Sequence, residues 1–186
     1  MASSPRAKLL AIMGLFALPM VASWIAYTFF QPQASANYGE LITPPAQITT
    51  AAFQRADGAP FRFEELRGKW LLVVSDSGDC PAACEAKLTL VRQVRLMLGR
   101  NAARVVRVHV ADDSRPVPPA KAAPFEGTVF IAPPAGMQQP LSAVNDRAHV
   151  YVTDPRGNVM LRFPAEAEPR RMLKDLERLL KASQIG

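Results

Sequence analysis

The chain has 186 residues, 49% of them hydrophobic, and a formal net charge of +6. Arg6 and Lys8 carry two of those charges and the rest are interspersed with acids; no basic run is interleaved with aromatics, which argues against a nucleic-acid partner. Two close cysteines, with two histidines far from them in sequence, cannot form a four-ligand structural zinc site.

Leu9 to Phe30 is a run of 22 residues without charge, about the length that spans a bilayer as a helix. Arg6 and Lys8 precede it and no charge follows until Glu40, so the positive-inside rule places residues 1–8 in the cytoplasm and the remainder outside. The rival reading is a cleaved signal peptide, with Ala34-Ser35-Ala36 resembling a cleavage site, but the run is long for such a segment. The reading adopted is an uncleaved anchor over 9–30, a proline-bearing tether over 31–47, and one folded domain over 48–186. Either reading puts the cysteines in an oxidising compartment.

In the domain, Ile48–Arg55 and Pro60–Phe63 flank Asp57-Gly58, a hairpin signal. Glu64–Gly68 is a short turn into Trp70–Ser75, an apolar run suited to a buried strand. A turn cluster, Asp76–Asp79, then leads to Cys80-Pro-Ala-Ala-Cys84 and a periodic helix to Met97, with Leu88, Val91, Val94 and Met97 spaced by three. With Pro81 as first helical residue, Cys80 is the N-cap, where the free N–H groups and the helix dipole favour thiolate; Asp76 and Asp79 oppose this. Val105–Ala111 is the next strand, in parallel crossover. His109 lies on the phase opposite its valines and reads as a partly exposed strand histidine. Asp112 and Asp113 follow at the strand end, where α/β proteins place functional groups.

Ser114 to Pro140 carries seven prolines and reads as a surface excursion with one strand, Thr128–Ala132. A short helix is expected over Leu141–Arg147. His149–Thr153, the turn Asp154-Pro-Arg-Gly157 and Asn158–Arg162 make a second hairpin. Glu166–Ala182 is a terminal helix with Met172, Leu173, Leu176, Leu179 and Leu180 on one face.

The Gly68-Lys69-Trp70 lead-in, the cysteine pair opening a helix, the Tyr151–Gly157 hairpin and the terminal helix resemble the thioredoxin-like superfamily. Three residues between the cysteines resemble its Sco-type (SenC-like) branch, here divergent. The resemblance implies an α/β, thioredoxin-like domain with an N-terminal β-hairpin behind one transmembrane helix. It also implies a single-pass protein of the inner membrane, its domain periplasmic, that assists cytochrome c oxidase assembly through copper or thiol–disulfide exchange. The partners implied are the membrane and a respiratory oxidase subunit or another envelope protein with cysteine thiols. In Sco proteins two cysteines and a histidine hold copper. The matching histidine position falls on Asp146, with His149 three residues on, so the implied metal set is Cys80, Cys84 and His149, and the proline usual after the second cysteine is Glu85. In exchange, the more exposed Cys80 attacks and Cys84 resolves. For the pair itself, a redox dithiol, a copper site and a structural disulfide all remain open. The alternatives for the whole chain are a general envelope thiol–disulfide oxidoreductase, of the kind that reduces apocytochrome c, and a redox-inert tethered scaffold. Every catalytic reading requires the sulfurs to be reachable by a client.

Overall fold

A computed structural model of the chain describes residues 5–29, 37–48, 52–134, 144 and 146–183. The chain divides into two compact units, Met1–Ala36 and Asn37–Gly186. The first is a single helix, α1 (Pro5–Phe29), with no buried residue. Its apolar side chains, from Leu9 to Phe29, are exposed throughout, and it is long and apolar enough to cross a membrane.

The second unit holds β1 (Glu40–Gln47), β2 (Phe53–Arg55), β3 (Pro60–Phe61), β4 (Trp70–Asp76), α2 (Ala82–Met97), β5 (Val105–Ala111), α3 (Pro119–Ala122), β6 (Thr128–Ala132), β7 (His149–Thr153), β8 (Asn158–Pro164) and α4 (Pro169–Ala182). The strands form one sheet in the order β1-β8-β7-β4-β5-β6-β2-β3. β4, β5 and β6 run parallel, while on the other side of β4 β7 runs antiparallel to it and β8 antiparallel to β7. The sequence-predicted strands and both hairpins are present. Several boundaries differ: the first hairpin is described only over Phe53–Arg55 and Pro60–Phe61, β8 runs on to Pro164, and two further changes matter more. Residues 40–47, read as tether, form β1 and pair with β8, with Glu40 and Arg162 joined by a bidentate ion pair. α4 starts at Pro169, which suits a first helical turn, rather than at Glu166. The helix expected over 141–147 falls largely outside the described residues.

β4 is buried along its whole length because both faces of the sheet are covered there. Trp70, Leu72 and Val74 enter a core with Leu88, Val91 and Val94 of α2 and Met172, Leu176 and Leu180 of α4. Leu71 and Val73 enter a second core on the opposite face, with Val108, Val110 and the aromatics Phe53, Phe61 and Phe63. In that second core Phe63 packs edge-on to both Phe53 and Phe61.

Candidate functional site: a cysteine pair and a histidine beneath a polar strap

Cys80 and Cys84 form a disulfide, with Cα atoms 5.1 Å apart. The N-cap of α2 is Pro81 rather than Cys80, so the helix opens one residue later than the proline suggests. Cys80 itself adopts φ +40°, a conformation non-glycine residues rarely take. Both cysteines are sealed: Cys80 is 1% and Cys84 0% exposed. The expectation of a more exposed Cys80 is therefore corrected.

The cover is the segment that follows β5. Val117 and Phe125 pack in the same core as the two cysteines. Lys121 Nζ donates to the Cys80 carbonyl at 2.7 Å and lies 3.4 Å from the Glu85 carboxylate. Arg115 bridges Asp79 and Asp113, and Asp113 accepts from the Gly78 N–H. A side chain at Gly78 would collide with the Arg115 backbone, so glycine is required where the two loops cross.

The residue that meets the disulfide is His109. Its Nε2 lies 3.5 Å from Cys84 Sγ, and the ring is wholly buried. The donor atoms of Cys80, Cys84 and His109 all lie within 4.8 Å of one another. β5 pairs with β4 so that His109 is level with Val74 and points to the helical face. Burial pushes the His109 pKa down to about 4, although the nearby Asp76 carboxylate pulls the other way. The imidazole is thus neutral at pH 7, with a ring nitrogen able to accept a metal or a proton.

His149 does not join this group. It alternates with Val150, which faces the helical core, and packs against Tyr151, which belongs to the opposite core. The sheet therefore separates it from the sulfurs. Its Nδ1 is paired with Asp146 at 2.7 Å, so the position expected to supply the Sco ligand instead holds the carboxylate that engages His149. The three-donor group near the disulfide is Cys80, Cys84 and His109, and His149 lies outside it. The signal for His109 was present. Arg107 and His109 alternate with valines in a strand flanked on both sides, and the helix that begins at the cysteines crosses over that face.

Beside the disulfide lies a buried ion pair that was not anticipated. Lys87 Nζ is 2.6 Å from Asp76 Oδ2, with side chains 1% and 4% exposed. Lys87 also donates to the Arg147 carbonyl, and Arg147 grips Asp112 with two hydrogen bonds of 2.6 Å. Carbonyl and carboxylate partners thus tie together the ends of β4 and β5 and the start of β7.

Residues 70–183, from β4 through α4, match the family model described as a transmembrane-like, thioredoxin-like, C-terminal domain. The chain belongs to this family. No curated protein sequence matches the chain. Among solved structures, the thioredoxin-like domain is similar to Arabidopsis thaliana ScoI with copper bound, at 13% identity and TM-score 0.63, covering 74% of this chain and 100% of that one. It is similar to apo Sco1 from Thermus thermophilus, at 18% identity and TM-score 0.61, covering 79% and 99%. It is also similar to yeast Sco1 with copper bound, at 13% and 0.62, covering 75% and 95%. At these identities the likeness establishes the fold alone, a thioredoxin-like one that these Sco proteins share.

Two thiolates and a neutral imidazole are the soft donors a cuprous ion prefers, so the residues of the thioredoxin-like domain fit copper once the disulfide is reduced. Ligating histidines usually donate their second N–H to an acceptor; His109 Nδ1 is buried without a protein partner. The same three groups also suit thiol–disulfide exchange.

Proposed function

We propose that this protein is a membrane-anchored, Sco-like thiol and copper handling factor that assists assembly of a respiratory oxidase. The cytoplasmic N-terminus, the 9–30 anchor and the extracytoplasmic domain follow the sequence reading, and α1 is compatible with that anchor. The observation that carries the proposal is the convergence of Cys80, Cys84 and His109 in a Sco-type fold. Cys80 and Cys84 bind the cuprous ion as thiolates, or as a dithiol reduce a client disulfide while closing their own. His109 completes a three-donor set without first losing a proton. Since the sulfurs are buried, client or copper entry requires the strap of residues 113–125 to move.

The test is a cuprous titration of the full chain in detergent, after reduction. One equivalent is expected to bind, and Cys80→Ser or Cys84→Ser is expected to weaken binding by more than about a hundredfold, by loss of a thiolate ligand. Unchanged binding in both serine variants would overturn the copper reading.

A second reading, a general envelope thiol–disulfide oxidoreductase, is favoured by the closed Cys80–Cys84 disulfide. In that case the reduced chain passes two electrons to a client disulfide: a Cys80 thiolate attacks, a mixed disulfide forms, and Cys84 displaces the client thiolate as the disulfide re-forms. Cys84→Ala is expected to trap the mixed disulfide on non-reducing gels; absence of any trapped species, together with full copper binding, would reject it.

A further inference from the structure

Three arginines converge where α2, β5 and the start of β6 meet, away from the cysteines. Arg92, Arg95 and Arg107 line a cavity of about 530 Å³ together with Leu96, Pro124, Glu126 and Gly127, a size suited to a small ligand. Arg107 is only 4% exposed, and its Nε and Nη1 are buried with no protein partner. Its Nη2 donates to the Glu126 carbonyl at 2.6 Å, and Arg95 Nε donates to the Val105 carbonyl at 2.7 Å. Backbone carbonyls thus hold two guanidinium groups in place without neutralising them. Among the described residues, no ion pair joins any of the three to a carboxylate. Gly127, at φ +78°, leaves room for the fork: a Cβ there would lie 3.1 Å from Arg107 Nη2.

Arg107 holds two unsatisfied buried donors beside two like charges, and Glu126 on the cavity wall forms an ion pair with none of the three, so an incoming anion is favoured. A single carboxylate would leave most of the charge unmatched. A phosphate group offers several tetrahedral oxygens and up to two charges, and guanidinium forks match it in bidentate fashion. We propose that the Arg92–Arg95–Arg107 cavity is a binding site for a phosphate group, borne by a small molecule or by a lipid. The wall residue Leu96 is 65% exposed and also lines an apolar groove with Met97 and Pro169, which would suit the lipid source. The site is independent of the thiol and copper reading.

The test uses the full chain in uncharged detergent and reads the thermal unfolding midpoint. In one arm inorganic phosphate is titrated at ionic strength held constant with potassium chloride. In the other, phosphatidylglycerol is added and compared with phosphatidylcholine. A rise of about 5 °C or more at saturation is expected in at least one arm, and the arm that responds names the source. Arg107→Met is expected to abolish the rise without lowering the midpoint of the ligand-free chain, because it removes an unpaired buried charge. Arg92→Gln, at an exposed position with little bearing on folding, is expected to weaken the response on the order of tenfold. No rise in either arm, an equal rise with chloride or acetate, or a full response in both variants would overturn the proposal.

Discussion

His109 sits against the disulfide because β4 and β5 pair in parallel with Val74 and His109 level, and α2 lies over that row. Its sign in stability follows from its environment. The folded pKa is about 4 against an ordinary 6.5, so between those values the unfolded chain takes up a proton that the folded chain refuses. Stability then falls as pH drops from about 6.5 to 4, by on the order of 3 kcal/mol. Urea unfolding of the oxidised chain across that range is expected to show this slope, with His109→Asn flattening the share due to the histidine. Parallel curves in wild type and variant would contradict the burial. The Asp76–Lys87 pair gives a second check. Lys87→Met leaves the buried Asp76 carboxylate without its close cation, Arg147 lying at 4.0 Å, and is expected to cost about 3 kcal/mol, while Asp76→Asn with Lys87→Met is expected to recover much of that. Denaturant midpoints distinguish this from additive losses.

At the scale of elements, the strap of residues 113–125 decides access to the sulfurs. It is held over the disulfide by exposed polar contacts through Arg115 and Lys121 and by the two apolar anchors Val117 and Phe125. Segments held in this way open locally at low cost. Arg115→Ala with Lys121→Ala is expected to speed reduction of the Cys80–Cys84 disulfide by dithiothreitol on the order of fivefold; an unchanged rate would show that opening does not run through these contacts. The elements themselves were largely legible, since short apolar runs, Asp-Gly and Asp-Pro-Arg-Gly turns and the α4 periodicity are local signals. What was not legible came from packing. A spacing of three lags about 60° per step on a helix of 3.6 residues per turn, so Leu88 and Met97 lie on opposite sides of α2. Leu98 takes the buried place while Met97 is 41% exposed. Asp175 reads as a polar position on α4, yet it is buried because it accepts from the Tyr38 and Gly39 N–H groups, a contact across 136 residues that no local pattern encodes. The tether reading of 40–47 failed similarly, because prolines suit an edge strand as well as a linker.

For the whole molecule, the family model and the fold are thioredoxin-like, and the proposed chemistry turns on which histidine shares a space with the cysteines. The resemblance pointed to His149, three residues after the position it assigns to the ligand. The sheet instead puts His149 and the sulfurs on opposite faces and brings His109 under the strap. The most direct measurement is X-ray absorption at the copper edge of the reduced full chain loaded with one equivalent of cuprous ion. Two sulfur scatterers and one imidazole are expected in the wild type and in His149→Ala, with the imidazole lost in His109→Ala. An imidazole that survives in His109→Ala but vanishes in His149→Ala would contradict the account.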